Sequence, residues 1–246
     1  MSRPRIFVEV AQDSDRLVLE GAEHHYLTRV RRLAVGATVE VVTPSGAAAL
    51  YEIDSATGEH VVLVREGPLP SRRLFGLLTL IQPLLPRRKL ELAIQKATEL
   101  GVDRIRLFTA DRSVARWEPG ERGTRLERLE RIVLEASRQC RRDQVPVLDF
   151  IEHIEDLDTP LGERRFLLSE EASPDATSLA ALASREAASR VTVAVGPEGG
   201  YQQAEVDAMR GAGFVALHLG PLVLRTETAS AVACVAGGLA LGRFNG

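Results

Sequence analysis

Leu219-Gly220-Pro221-Leu222-Val223-Leu224-Arg225-Thr226-Glu227-Thr228-Ala229 decides how this chain reads, taken with Gly196-Pro197-Glu198-Gly199-Gly200 a short way upstream. Each follows a short β-like run, Val191 to Val195 and Val215 to Leu219, and each turns through a Gly-Pro pair, so two strand ends present irregular backbone. Sheets of the α/β class bind ligands at such ends. Pro197 withdraws a backbone donor and restricts Gly196, while Gly199 and Gly200 allow backbone angles and close ligand approach that a Cβ obstructs. Arg225-Thr226-Glu227-Thr228 then sets two charges and two hydroxyls directly ahead of the apolar run Ala229 to Leu241. No Gly-x-Gly-x-x-Gly or Walker A pattern occurs, so neither a conventional dinucleotide cradle nor a P-loop is supported.

Upstream of these stretches the pattern alternates. Leu77 to Ile81 reads as a buried strand, and a helix follows with Leu90, Ala93, Ile94, Ala97 and Leu100 on one face, ended by Gly101. Ile105 to Phe108 is the next strand, and Thr124 to Cys140 repeats the helical period through Leu126, Leu129, Ile132, Val133, Ala136 and Cys140, which places Cys140 in the core. Strands from Pro146 and Phe166, a helix over Ser178 to Ala188, a helix over Gln203 to Gly211 and a last helix complete an α/β domain with a parallel sheet. Residues 5 to 66 differ: short strands at Ile6 to Val8, Leu17 to Leu19, Thr38 to Val42, Ala49 to Ile53 and Val61 to Val64 predict a small β-barrel-like module. Between its second and third strands, Leu27, Val30 and Leu33 recur at helical spacing while Arg29, Arg31 and Arg32 point elsewhere. The proline-rich stretch before Arg72 and Arg73 is the linker, giving domains at 1–67 and 74–246 joined by 68–73.

Composition excludes several classes. A chain of 246 residues that is 45% hydrophobic and 26% charged has ample material for a core. Cys140 and Cys234 are the only cysteines, so neither a disulfide framework nor a zinc site is indicated, and a reducing compartment fits. Charges replace an apolar leader in Met1 to Val10, which predicts a chain neither exported nor membrane-spanning. A net charge of -3 argues against a broadly basic nucleic-acid coat but allows a local patch. Lys89 and Lys96 are the only lysines; this arginine dominance fits a GC-rich genome and also suits RNA contact.

The two glycine-containing stretches, in this order near the C-terminus, resemble the paired motifs of the ribosomal small subunit methyltransferase E family of the SPOUT superfamily. The likeness extends upstream to Gln95-Lys96 and Glu99 before Leu100-Gly101-Val102, to Arg112-Ser113, and to His24-His25 with Val30-x-Arg32. It departs at Thr43-Pro44-Ser45-Gly46, where relatives usually carry an aspartate-glycine turn.

The resemblance implies an S-adenosylmethionine-dependent methyltransferase acting on N3 of a uridine in 16S rRNA of the small subunit, cytoplasmic and homodimeric, without metal. It implies a PUA-like RNA-binding barrel followed by a trefoil-knotted sheet domain. Loops at Ser169 to Ala172, Gly196 to Gly200 and Leu219 to Thr228 would hold the cofactor. Its enclosure is assigned to Leu168, Ser169, Gly196, Pro197, Glu198, Gly199, Gly200, Leu219, Gly220, Leu222, Leu224, Thr228 and Ala229. Gly199→Val is expected to abolish cofactor binding, through its Cβ and through any positive φ at that position.

Arg225 is the candidate for stabilising charge on the uracil carbonyls. Glu198 and Glu227 are alternatives for the proton acceptor or for orienting Arg225, and each could instead cap a following helix. Arg29, Arg31, Arg32, Arg72, Arg73, Arg112, Arg138 and Arg141 are the candidate RNA contacts. For Arg138 and Arg141, the attraction of cations to a helix C-terminus is an equal explanation. The last helix, apolar nearly all round, is expected in a dimer interface, with Gly237 and Gly238 marking close approach by another element and Ala236 the position at which to break it. Other readings are an enzyme of the same fold acting on another RNA, or a non-catalytic RNA-binding assembly factor.

Overall fold

Residues 3–9, 14–152, 163–169, 176–183 and 186–244 are described by the computed structural model. Two compact units divide the chain: Met1–Arg73 with Ser137–Gln144, and Leu74–Ala136 with Val145–Gly246.

In the first unit β1 (Arg5–Phe7), β2 (Arg16–Leu19), β3 (Thr38–Val42), β4 (Ala48–Ala56) and β5 (Val61–Pro68) form one sheet in the order β1-β3-β4-β5-β2. β1 runs parallel to β3 and the other pairs are antiparallel. Alternating residues, among them Val39, Val41, Tyr51, Ile53, Val61 and Leu63, face a common core. Register shifts at Leu50/Tyr51 and Ile53/Ser55 bend β4, as β-bulges do. Helix α1 (Gly21–His25) continues into a wider turn over Tyr26–Val30, where the Arg31 amide reaches back to the Tyr26 carbonyl at 2.8 Å. That five-residue step spoils the expected spacing. Leu27 is buried, but Val30 is 60% exposed instead of packing beside it.

The segment 137–144 belongs to this unit through buried charge. Arg5, 2% exposed, donates to Glu40 Oε2 at 2.9 Å and to the Arg142 carbonyl at 2.8 Å, and pairs with Asp143. Asp143 also takes the Ser71 hydroxyl and the Arg72 amide.

The second unit holds a seven-stranded sheet, all pairs parallel: β6 (Leu77–Pro83), β7 (Arg104–Phe108), β8 (Val147–Phe150), β9 (Glu163–Ser169), β10 (Thr177–Ser178), β11 (Arg190–Ala194) and β12 (Phe214–His218). Their order is β10-β12-β9-β11-β6-β7-β8. Near-continuous apolar runs such as Leu78 to Ile81 suit strands covered on both faces. Leu78, Leu80, Val193 and Leu217 share one core with Ile94 and Ala97 of α2 (Arg87–Glu99), Val133 of α3 (Arg122–Cys140), Leu182 of α4 (Leu179–Ala183) and Ala236 of α6 (Thr226–Ala240). Ile81, Leu167, Ala194 and Phe214 share another with Met209 of α5 (Gln203–Gly211).

Several local expectations change. The helix expected over Ser178 to Ala188 is described only as α4, because Thr177–Ser178 pairs with β12 and Glu186 to Ala188 carries no regular structure. The strand beginning near Pro146 runs to Phe150, held by pairing with β7. Cys140 is half-buried in the first unit, its thiol 3.9 Å from the Ser137 carbonyl, and is not a core residue. Cys234 is buried, and desolvation pushes its thiol up to about 12, so it is no nucleophile.

The glycines of α6 have their explanation inside the chain. A Cβ on Gly237 would lie 2.3 Å from Leu78 Cδ1, and one on Gly238 2.6 Å from the Phe244 ring. Each glycine weakens the helix by roughly 1 kcal/mol relative to alanine, whereas forcing a methyl into such contacts costs about 1–3 kcal/mol or more. Glycine is therefore the better residue at both places. Ala236, expected at an interface, is wholly buried in the monomer core.

Candidate active site

Because β12, β9 and β11 are adjacent and parallel, the segments that follow them leave one edge of the sheet side by side. These are the three loops singled out in the sequence. At the end of β9, Leu168 is half-buried and Ser169 pairs with His218; residues 170–172 of the loop that follows lie outside the described residues.

The loop after β11 is gripped on several sides. The Gly200 amide donates to the Pro197 carbonyl at 2.9 Å, closing a turn over Glu198 and Gly199. The left-handed backbone falls at Gly200 (φ +69°) and not at Gly199. What confines Gly199 is instead a neighbour: its Cβ would lie 3.2 Å from Arg112 Cβ. Gly196 lies under the Tyr201 ring, where a Cβ would be 3.1 Å from the nearest ring carbon. The Tyr201 hydroxyl donates to the Val195 carbonyl at 2.7 Å, and burial, reinforced by the Glu205 charge, holds it well above the ordinary tyrosine range. It thus stays a proton donor in a structural bond. Glu198 pairs with Lys89 in the first turn of α2, so its carboxylate is engaged. Arg112, a candidate RNA contact, donates to the Gly199 carbonyl at 3.2 Å.

The loop after β12 crosses to α6. Gly220 has φ +115° and open space where a Cβ would stand. Leu219 and Leu224 are half-buried, and Leu222 and Val223 are 78% and 73% exposed. Arg225 takes extended angles as the N-cap of α6, its carbonyl accepting from Thr228 and Ala229 and its side chain exposed. The helix start is fixed from below by Ser230, whose hydroxyl lies 2.6 Å from Gln82 Oε1 and 2.7 Å from the Thr226 carbonyl. Gln82 and Ser230 are both wholly buried. Glu227 sits in the first turn of α6, favourable for a carboxylate. Its Oε2 is buried and, among the described residues, has no hydrogen-bond partner; the same is true of His218 Nδ1.

Arg225 and the first turn of α6 with Glu227, Thr228 and Ala229 thus follow β12, and Gly196 to Gly200 follow β11, two strands that flank β9 in the one parallel sheet. Arg29, Arg31, Arg32, Arg72 and Arg73 are exposed in the first unit. Arg138 and Arg141, candidate RNA contacts, are engaged within the first unit. Arg138 is 8% exposed, bonded to Glu23 at 2.5 Å and laid over the Tyr26 ring at 4.2 Å, while Arg141 pairs with the buried Glu40 from a left-handed backbone (φ 63°). Both are used to hold the end of α3. Tyr201, Glu205, Gln82 and Ser230 were not foreseen; the signals were an aromatic directly after the glycines and a polar residue closing the apolar strand Leu77 to Ile81.

The RNA methyltransferase domain family matches residues 74–237. Ribosomal RNA small subunit methyltransferase E of Mycobacterium bovis is 32% identical over 253 residues, covering 97% of this chain and 92% of that protein. This chain belongs to the ribosomal RNA small subunit methyltransferase E family. The Bacillus subtilis member is 30% identical over 240 residues, 92% of each chain. A crystal structure of the Neisseria gonorrhoeae methyltransferase E, bound to S-adenosyl methionine, superposes with a TM-score of 0.84 at 26% identity, over 96% of this chain and 97% of that one. A Legionella pneumophila methyltransferase with bound cofactor, at 22% identity and a TM-score of 0.85, has the same fold.

Proposed function

We propose that this methyltransferase E family member transfers a methyl group from S-adenosylmethionine to N3 of a uridine in 16S rRNA of the small ribosomal subunit, in the cytoplasm. Family membership over nearly the whole chain carries the reading. The site's own features fit the cofactor: open space over Gly200 and Gly220, where a Cβ would meet nothing, and apolar Leu219, Leu222 and Leu224 in the same loop as Gly220. Leu168, Ser169, Gly196 to Gly200, Leu219, Gly220, Leu222, Leu224, Thr228 and Ala229 would enclose it. When bound, it supplies a methyl carbon made electrophilic by its sulfonium.

The chain's own task is alignment and proton removal. Uracil N3 is flanked by two carbonyls, and loss of its proton spreads negative charge onto them. Arg225, exposed at the helix N-cap, supplies the cation that stabilises this charge. Glu198 is engaged by Lys89, whereas Glu227 keeps an oxygen that no hydrogen bond from the described residues occupies, which favours Glu227 as the proton acceptor.

The five-stranded sheet is read as a PUA-like RNA-binding barrel over 1–67 and the remainder, after a 68–73 linker, as a trefoil-knotted domain. The division between the compact units after Arg73 supports the boundary. Insertion of β11 between β9 and the much earlier β6 supports the knotted topology.

The homodimer is supported by α6, where Thr228, Ala231, Val232, Val235 and Leu239 recur every three to four residues and remain incompletely buried. Val235→Glu is therefore expected to yield a monomer near 27 kDa by sedimentation, with methyl transfer lost in parallel. A folded Val235→Glu dimer would place the interface elsewhere.

The reaction is tested by incubating the protein with labelled S-adenosylmethionine and small subunits that lack the modification, then mapping the product by primer extension. A stop at one uridine is expected, since N3-methylation blocks pairing. Cofactor binding without such a stop would redirect the reading to another RNA. For the cofactor loop, Gly200→Val is expected to lower affinity about tenfold or more, because a non-glycine residue pays about 1–2 kcal/mol at a left-handed position. Calorimetric affinity equal to that of the parent would remove Gly200 from the site.

A further inference from the structure

We infer that Arg112 is a positioning residue for the cofactor loop and not an RNA contact, and that the turn after β7, residues 109–116, is a brace built around it. This rests on reading Gly196 to Gly200 as cofactor-binding. The guanidinium Nη1 lies 3.2 Å from the Gly199 carbonyl and 3.5 Å from that of Tyr201, so one side chain ties down both ends of the Gly199-Gly200-Tyr201 segment. The stem of the same side chain sits against Gly199.

The brace is itself fixed. The Ala110 amide donates to the buried Ser113 hydroxyl at 3.2 Å, and Arg116 donates to the Asp111 carbonyl at 2.9 Å. The Asp111 amide donates to Glu205 Oε1 at 3.0 Å, while Glu205 Oε2 takes the Gln202 amide at 2.8 Å to cap α5. Phe108, at the end of β7, stacks on Tyr201 with ring centroids 6.4 Å apart and planes 14° from parallel. Two of these links close the β7 turn, and the Asp111–Glu205 bond and the Phe108–Tyr201 stack join it to the residues that follow β11.

The physical need is plain. A loop with glycines at 196, 199 and 200 and little regular hydrogen bonding loses about 1–2 kcal/mol of conformational freedom for each residue that a ligand must fix. Holding its carbonyls in place beforehand removes part of that cost from binding. Arginine suits the task because the rigid guanidinium plane fixes where the two hydrogens of Nη1 point, one toward each carbonyl, whereas an ammonium on a flexible stem sets no such direction.

The test uses the full chain, with R112A and R112K variants. Amide hydrogen exchange in the free protein should accelerate about tenfold or more across residues 196–201 in R112A, less in R112K, with the melting temperature near that of the parent. Calorimetry with S-adenosylmethionine should show affinity falling about tenfold or more in R112A and partly restored in R112K. KM for the cofactor should rise while kcat at saturation holds. The salt dependence of binding to small-subunit rRNA should not move in either variant, whereas replacing Arg29, Arg31 and Arg32 with glutamine serves as the positive control for a flattened slope. Unchanged exchange at 196–201 overturns the inference, as does unchanged cofactor affinity with a flattened salt slope in R112A. Should the parent protein take up no cofactor, the cofactor reading fails, and the exchange measurement still decides whether Arg112 braces the loop.

Discussion

Arg225→Gln is expected to lower methyl transfer about 10²–10³-fold, the size of effect produced by removing one donor from a charge-stabilising site, while cofactor affinity and fold stay as they are. The separation follows from how the residue is built in. Its structural duty is done by the backbone: extended angles (φ -62°, ψ 147°) start α6, and its carbonyl accepts from the Thr228 and Ala229 amides. Glutamine can take the same angles. The guanidinium is exposed and, among the described residues, has no hydrogen-bond or ion-pair partner, so removing its charge leaves no acceptor stranded. Below it, Ser230 and Gln82 lock the helix to the end of β6 and hold the N-cap where it is. Single-turnover transfer with saturating cofactor, alongside calorimetry, checks both halves. Loss of cofactor affinity in step with the rate would move Arg225 into the cofactor enclosure, and an unaltered rate would reduce it to a solvated cation.

How much of this could be read from the residues follows from the range of the forces involved. Strands and helices in the second unit were legible because period is a local signal: the face Leu90, Ala93, Ile94 and Ala97 is buried as expected, and Leu77 to Ile81 lies within the strand β6. The strand ends carrying Gly196 to Gly200 and Leu219 to Arg225 do leave one sheet edge, which two Gly-Pro turns after β-like runs suggested. What was not legible depends on partners far away in sequence. Nothing near Arg138 announces that its guanidinium will lie over Tyr26 and against Glu23, 115 residues earlier. Nothing near Arg112 announces the carbonyl of Gly199, 87 residues later. An arginine on paper looks like a phosphate ligand; in the fold its charge is often already spent. The glycines of α6 show the same ambiguity, since close approach was the right inference and the approaching groups, Leu78 and Phe244, belong to the same chain.

The largest stability effect is expected at another such arginine. Arg243 stands beyond α6, with its side chain 3% exposed, and donates to the carbonyls of Phe75 (2.7 Å), Gly101 (2.5 Å) and Gly76 (2.8 Å) and to Asp103 Oδ2 (2.7 Å). One guanidinium therefore fastens the end of the chain to the entry of β6 and to the turn that closes α2. Asp103 Oδ2 also accepts the Leu78 amide at 2.9 Å, so the same carboxylate sets the start of the central strand. Arg243→Ala strips three carbonyls of their donor and leaves a carboxylate without its counter-charge, a change that typically costs about 3–5 kcal/mol when the pair is buried. Asp103 is 19% exposed and keeps the Leu78 amide, which places the expectation near the lower end, about 3 kcal/mol. Arg243→Lys should recover only part of it, because an ammonium cannot span acceptors arranged around a planar fork. Denaturant unfolding, read as a fall in midpoint with an unchanged slope, gives the number. The consequence for the site is specific: α6 carries Arg225 at one end and is held at the other by Arg243, so the variant should also expose the Gly237 and Gly238 amides to hydrogen exchange earlier than those of β3 and β4. If exchange rises equally in both units, or if Arg243→Ala unfolds at the parent's denaturant midpoint, the C-terminal turn is not the clamp described here.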